Sequence, residues 1–223
     1  MKRYLLAAIG ALLIVPASVA QAQACIGMTS MATMPMNLLV GAEFTDGAKS
    51  FNGRFGFGSS IMFGGVSGSI TDVDGVDGTA KTIGIDGGLS YITGASRTLV
   101  VCPVADLSYT MFPDFEILGE DYGSSLTTGS AGLALGAAVR SGATMTLIPF
   151  AAVRAIYSRF DVDVPSVGDD DDSDSETYGM LSGGLSFAFT DAVLVRPIIN
   201  IPFGLEGSDI SYGVGLVFSF GRR

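Results

Sequence analysis

Seven charged residues share one face of the alternating segments in this chain. In such segments successive side chains point to opposite sides of a strand. Acids and arginines that face one interior are expected to pair, because an isolated buried charge costs several kcal/mol. Two functions follow for them, a structural core of ion pairs or a polar lining that selects small solutes, and a narrow interior favours the first. They are Glu43, Arg54, Asp86, Asp106, Arg140, Arg154 and Arg196.

A second group of acids forms the run "DVDVPSVGDDDDSDSE", between residues 161 and 176. Carboxylates at this density could hold Ca²⁺ or bridge cations to anionic lipopolysaccharide. Blocks of like charge are more typical of solvated loops, which is the interpretation we favour. The calcium candidates are Asp169, Asp170, Asp171, Asp172 and Asp174.

Composition argues against two classes of function. The chain has no His, so it has no Ser-His pair, no His-based metal site and no usual general base near pH 7. We expect no enzyme activity and no cofactor. The formal net charge of −10 argues against a nucleic-acid partner, which requires basic surface.

The first residues predict a secretory signal peptide. Lys2 and Arg3 precede an apolar run from Leu5 to Val15, and small residues follow. The run is too short to span a membrane as a helix. Cleavage after Ala22 and cleavage after Ala24 fit the pattern equally well. We therefore assign residues 1–24 to the signal peptide.

The rest of the chain alternates in the manner of "DISYGVGLVFSF" near its end. Tyr212, Val214 and Leu216 are large and apolar, whereas the residues between them are small. A soluble sheet would carry Lys, Glu or Thr on its second face. An apolar face combined with a small polar face indicates a strand with lipid on one side and a narrow lumen on the other.

Segments of this kind recur at about the length that a tilted strand needs to cross a membrane. Short links alternate with longer polar ones, among which we place Asp46–Ser50 and "PDFEILGEDYG". The pattern predicts an all-β, closed antiparallel up-and-down transmembrane barrel of ten strands, with eight as the alternative. The predicted strands are 36–46, 50–58, 60–73, 80–93, 98–112, 124–140, 144–163, 177–190, 192–203 and 208–220.

On these segments the chain resembles the small bacterial outer-membrane β-barrel proteins (outer membrane protein beta-barrel domain). The stretch "GLVFSF" is similar to the terminal strand that such proteins use for insertion, with Gly215, Phe218 and Phe220 in the matching places. The resemblance implies residence in the outer membrane of a double-membraned bacterium, contact with outer-membrane lipids and lipopolysaccharide, and recognition by the barrel assembly machinery. It implies a barrel over residues 36–223.

Two cysteines remain after signal cleavage, so a single disulfide has one possible pairing. Cys25 precedes the first strand, and Cys102 lies near the start of a strand that follows a short turn, with its side chain predicted to point inward. Both are predicted at one mouth of the barrel, with residues 25–35 as a periplasmic plug segment. The alternatives are two free thiols or a lipidated Cys25.

Three functions are compatible with these features. The first is a structural or surface barrel whose narrow lumen is filled by paired charges, and this is the function we favour. The second is a porin-like channel for small solutes. The third is adhesion, or cation or ligand binding, through acidic extracellular loops.

Overall fold

The structure of the chain is a computed structural model. It describes residues 36–59, 61–93, 99–113, 115–117, 120–137, 139–141, 145–163, 172–190, 192–205 and 209–220. The strands are β1 (Met36–Thr45), β2 (Ala48–Gly58), β3 (Met62–Val73), β4 (Thr79–Leu89), β5 (Tyr91–Thr93), β6 (Leu99–Met111), β7 (Phe115–Ile117), β8 (Glu120–Ala137), β9 (Val139–Ser141), β10 (Met145–Asp163), β11 (Asp172–Ala188), β12 (Val193–Phe203) and β13 (Ser211–Phe220).

The sheet closes on itself because β1 pairs with both β2 and β13. Val40 lies opposite Gly53 on one side and opposite Leu216 on the other. Each pairing along the wall is antiparallel. Closure leaves no open sheet edge, which is the condition for β-structure inside a lipid bilayer.

The wall of the barrel has ten strands in the described residues. β5 continues β4, since both pair with β6, and β9 continues β8, since both pair with β10. β7 pairs only with the first residues of β8, in the connection before that strand. The prediction of ten strands is confirmed, and the alternative of eight is wrong.

The outer surface is an apolar band because every second residue of each strand points outward. The side chains of this band are between 39% and 60% exposed in the isolated chain. A soluble protein rarely exposes so large a contiguous apolar surface. The residues of the band are Leu38, Val40, Phe55, Val66, Ile83, Ile85, Leu107, Leu133, Leu135, Val153, Leu181, Val214 and Leu216.

Exposed aromatic residues border this band at both ends. We call the end that holds Met36 and Phe220, which lie opposite each other, the short-turn end, and the other the loop end. Aromatic girdles at both interfaces are typical of outer-membrane barrels. The short-turn girdle contains Phe57, Tyr91, Phe189, Phe218 and Phe220, and the loop girdle contains Phe44, Phe51, Tyr109, Tyr157, Phe203 and Tyr212.

Two connections at the loop end that precede β10 differ from the prediction. Asp46–Ser50 is not a longer link, because Thr45 already pairs with Ala48 across a two-residue turn in which Gly47 has φ 76°. An Asp-Gly pair favours such tight hairpins, since glycine adopts positive φ without strain. The segment "PDFEILGEDYG" contributes β7 and the start of β8 and is not entirely loop.

The acidic run was predicted as a loop, and its described part is strand. Ser158 pairs with Glu176, and Phe160 with Asp174, so the β10–β11 hairpin extends well beyond the apolar band. Asp has low strand propensity, but this propensity depends on context, and hydrogen bonding to a neighbouring strand can hold Asp in a strand. Asp174 and Glu176 are exposed on this hairpin.

The described residues contain no helix that is long and apolar enough to cross a bilayer.

Candidate functional site

The lumen is the candidate functional site, and its inner wall changes character along the barrel axis. Apolar side chains fill the short-turn end, charged side chains the middle, and paired hydroxyls the loop end. The apolar layer consists of Leu39, Phe63, Val100, Val104, Ile148, Leu194 and Val217, each at most 7% exposed. The hydroxyl pairs are Ser50–Thr71, Thr82–Thr110 and Thr128–Ser158.

The tightest charge pair in the lumen joins Arg54 on β2 to Asp86 on β4. Nε and one terminal nitrogen of Arg54 each donate to a carboxylate oxygen of Asp86 at 2.6 Å. The side chains are only 1% and 8% exposed. Arg54 also donates to Oδ1 of Asn37 at 3.3 Å. This bidentate geometry fits the planar guanidinium, and the contacts of Arg54 link β1, β2 and β4.

A looser pair joins Arg154 on β10 to Asp106 on β6. The nitrogen–oxygen distance is 3.4 Å, and the side chains are 16% and 20% exposed. The hydroxyl of Ser130, on the strand between them, donates to the same carboxylate. The Arg154–Asp106 pair is therefore expected to contribute less to stability than the tighter and more deeply buried Arg54–Asp86 pair.

Glu43 is held by neutral donors rather than by an arginine. Asn200 donates to its carboxylate at 2.9 Å, and Ser211 donates to the same oxygen. Asn200 in turn accepts from Ser182 at 2.7 Å. The network links β1, β11, β12 and β13, which places it across the closure of the barrel.

Arg196 has a different environment from the other inward arginines. It is 4% exposed, and its guanidinium carbon lies 4.5 Å from the centre of the Phe150 ring. Its Nε is buried without a hydrogen-bond partner in the described part of the chain. A cation over a ring gains about 0.5–2 kcal/mol, whereas desolvation of an unpaired charge costs several kcal/mol. The ring alone does not compensate this charge.

Several predicted site residues lie outside what the structure describes. Arg140 is in β9, but its side chain is not among the described ones, and Cys25 and residues 1–35 are outside the described ranges. Asp169, Asp170 and Asp171 are outside them as well, and Asp172 is described only as part of a strand. The described residues hold no cluster of metal-ligating side chains.

Glycines on the inner face leave room for long inward side chains to lie against the wall. Arg54 lies across Gly65, where a Cβ atom would come within 2.7 Å of its Nε. Phe150 lies across Gly184 in the same way, with a ring carbon at 2.7 Å from the site of the missing Cβ. The glycines on the inner face therefore let the arginine and aromatic side chains lie flat against the wall.

Together these groups border a cavity of ≈ 410 Å³ in the middle of the barrel. All three described arginines and all three acids of the predicted set line it. The remaining wall is mostly Gly, Ser and Thr. The alternation of inward and outward side chains along each strand was enough to predict that these charged residues face the lumen. The hydrogen bonds of Asn37 and Asn200 and the existence of the apolar layer were not predicted, because alternation gives the face on which a side chain lies but not its partner.

Cys102 lies on β6, on the same face as Asp106, and its side chain is fully buried beside the apolar layer. Cys25 is outside the described residues, so the Cys25–Cys102 bridge stays a prediction. We expect non-reducing mass spectrometry of the purified chain to find the two cysteine peptides linked. The bridge would stabilise the fold by about 2–4 kcal/mol, mainly by restricting the unfolded state. Two alkylatable thiols or an acylated Cys25 would show that the pairing is wrong.

No protein-family model matches the chain, and no curated protein matches it either. Solved structures do match. The N-terminal β-barrel domain of OprF from Pseudomonas aeruginosa is 14% identical, with 83% of this chain and 96% of that chain covered and a TM-score of 0.39. Ail, the attachment invasion locus protein of Yersinia pestis, is 13% identical, with coverage of 83% and 98% and a TM-score of 0.44. The translocator domain of the autotransporter NalP from Neisseria meningitidis is 12% identical, with coverage of 83% and 87% and a TM-score of 0.49.

At these identities the similarity concerns the fold alone, and the assignment depends on the chain's own features. These are an even number of antiparallel strands, full closure, an apolar outer band and two aromatic girdles. The described residues form an all-β, closed antiparallel up-and-down barrel of ten strands, an architecture typical of bacterial outer-membrane barrels.

Proposed function

We propose that the chain is an integral outer-membrane barrel with a structural or surface role, and that its lumen does not conduct. The observation that carries this proposal is the apolar layer at the short-turn end. Phe63, Ile148 and Val217 are 7%, 0% and 1% exposed there, although they point into the lumen. A hydrophobic constriction blocks ions because water leaves it and a bare ion cannot cross.

The charged residues above this layer support the same proposal. The Arg54–Asp86 pair reaches from β2 across β3 to β4, and the Arg154–Asp106 pair reaches across β8. Side chains that bridge the wall in this way narrow the lumen. An interior filled by side chains is the expected state for small barrels.

The two ends of the barrel suggest an orientation. Short turns face the periplasm and longer loops face the outside in bacterial barrels. In that orientation the β10–β11 hairpin carries Asp174 and Glu176 away from the membrane on the extracellular side. Its acidic surface fits a role in contact with other surface molecules, including cation-bridged lipopolysaccharide.

The C-terminal strand fits the insertion role that its sequence resemblance implies. Phe218 and Phe220 point outward and are 39% and 38% exposed, whereas Gly215 points inward. We propose that this outward aromatic pattern is what the barrel assembly machinery recognises, and that the same side chains contact lipid afterwards.

A porin-like channel is the second candidate, and the mid-barrel cavity is the observation that favours it. A volume of ≈ 410 Å³ lined by arginines and glycines would serve a solute path if the apolar layer opened. The two functions differ in whether that layer stays closed.

Planar-bilayer conductance of the refolded chain separates the two. We expect the wild type to give no steady conductance above the lipid baseline. A double variant Phe63→Ala and Ile148→Ala, which removes bulk from the apolar layer, is expected to conduct. The matched control Phe57→Ala and Ile83→Ala changes outward side chains, one in the short-turn girdle and one in the apolar band, and is expected to stay closed. Steady ohmic steps from the wild type would contradict the closed barrel and support the porin.

A further inference from the structure

The environment of Arg196 has a consequence for ligand binding. It is one of three inward arginines that line the mid-barrel cavity, with Arg54 and Arg154. None of the three ion pairs among the described residues involves Arg196. Its burial reaches 96%, since only 4% of it is exposed, and its Nε has no partner in the described part of the chain.

The acids of the same cavity are already engaged with other groups. Asp86 uses both carboxylate oxygens for Arg54, and Asp106 accepts from Arg154 and Ser130. Glu43 accepts from Asn200 and Ser211. Its carboxylate is more than 4 Å from the nitrogens of Arg196, because no ion pair joins the two.

The N-terminal segment cannot supply a counter-charge. Residues 1–35 contain no Asp and no Glu. A plug formed by residues 25–35 would therefore leave the charge of Arg196 as it is. Neither the described residues nor residues 1–35 therefore supply a negative charge that pairs with Arg196.

The second arginine of the cavity has an unused donor as well. Nε of Arg154 is buried and has no hydrogen-bond partner in the described residues. Arg154 and Arg196 line the same space, whose volume of ≈ 410 Å³ lies in the range typical of small-ligand pockets. Guanidinium groups bind carboxylates and other oxyanions through paired N–H donors.

We propose that the mid-barrel cavity binds a small oxyanion, of the carboxylate or phosphate class, on Arg196 with support from Arg154. The ligand reaches the cavity from the loop end, because the apolar layer closes the short-turn end. Asn200 and the Ser-rich wall provide further hydrogen bonds beside the two arginines. The site does not depend on conduction, so it is compatible with a closed barrel and with a porin.

The test titrates acetate, and separately inorganic phosphate, into the isotope-labelled full chain refolded in lipid nanodiscs. The readout is the NMR signal of the Arg196 Nε–H and of the backbone amides of Gly213 and Gly215, which line the cavity. We expect saturable shifts of these signals with at least one of the two anions. Methylammonium, a cation of similar size to acetate, is expected to give none.

Arg196→Gln is expected to weaken binding at least about tenfold, since a charge-assisted hydrogen bond is lost. The matched control is Arg159→Gln, whose side chain is 51% exposed on the β10–β11 hairpin, and it is expected to bind as the wild type does. Arg196→Lys keeps the charge but not the paired donors, so it serves as the second variant if the Gln variant does not fold. We expect it to bind more weakly than the wild type.

Three results would overturn the proposal. The first is the absence of saturable shifts with both anions, which would mean that water alone solvates Arg196. The second is unchanged affinity in a folded Arg196→Gln or Arg196→Lys variant. The third is a set of saturable shifts confined to the loop end, which would place the anion outside the barrel.

Discussion

Arg54→Ala is expected to lower the free energy of unfolding by about 3–5 kcal/mol. The change would leave Asp86 without its bidentate partner in a site where that side chain is 8% exposed. It would also remove the donor to Asn37. Urea unfolding from lipid vesicles, followed by circular dichroism because the chain has no Trp, measures the loss.

The control for this prediction is the exposed pair of Arg159 and Asp161. Their side chains are 51% and 30% exposed, so Arg159→Ala is expected to change stability by only about 0–1 kcal/mol. The double variant Arg54→Ala and Asp86→Ala is expected to be less destabilised than the sum of its single changes, because no unpaired charge remains. An Arg54→Ala variant with wild-type stability would contradict the buried pair.

Gly184→Ala is expected to destabilise the barrel by about 1–3 kcal/mol through overpacking. Its new Cβ would come within 2.7 Å of the Phe150 ring and would also contact the backbone oxygen of Pro197. The backbone oxygen cannot move without disturbing the β11–β12 ladder. Displacement of Phe150 would also take the ring away from Arg196. The same urea experiment measures the effect.

Gly183→Ala, at the next residue of the same strand, is the matched control. Its side chain would point outward, and the nearest atom to the new Cβ is the Phe150 carbonyl oxygen at 3.7 Å, an ordinary contact. We expect its stability to stay within about 0.5 kcal/mol of the wild type. Equal losses of stability in the two variants would mean that Phe150 does not pack against Gly184.

Much of the barrel could be predicted from the sequence because alternation is a local property. The period-two pattern of "DISYGVGLVFSF" assigns Leu216 to the outer face and Gly215 to the inner face, and the structure agrees. Most predicted strand ends lie within a few residues of the observed ones for the same reason. The β10–β11 hairpin was the main exception, because Asp174 and Glu176 are held in strand by cross-strand pairing that no local pattern reveals.

The partners of the charged residues could not be predicted from parity. Arg54 and Arg154 are both predicted to point inward, yet one forms a tight buried pair and the other a loose one. The difference arises from strand register and tilt, which decide the height of each side chain in the barrel. Alternation in the sequence specifies whether a side chain faces the lumen or the lipid, whereas its position along the barrel axis depends on the closed sheet.

The apolar layer was missed for a related reason. Leu39 and Val217 have inward parity, but each stands beside outward apolar residues, so the local pattern reads as a continuous apolar run. The two meet only because β1 and β13 pair across the closure of the barrel, where Leu39 lies opposite Val217. Contacts that depend on closure leave no signal in either segment alone.

We expect two sets of apolar side chains to have opposite surroundings in this barrel, one facing lipid and the other closing the lumen. The most direct test is NMR of the methyl-labelled wild-type chain in nanodiscs that contain a lipid with a nitroxide on its acyl chain. Val214 and Leu216 on β13 are predicted to broaden strongly, whereas their neighbour Val217 and Ile148, which are 1% and 0% exposed, are predicted to keep sharp signals. Equal broadening of Leu216 and Val217 would show that these two side chains do not lie on opposite faces of the barrel wall.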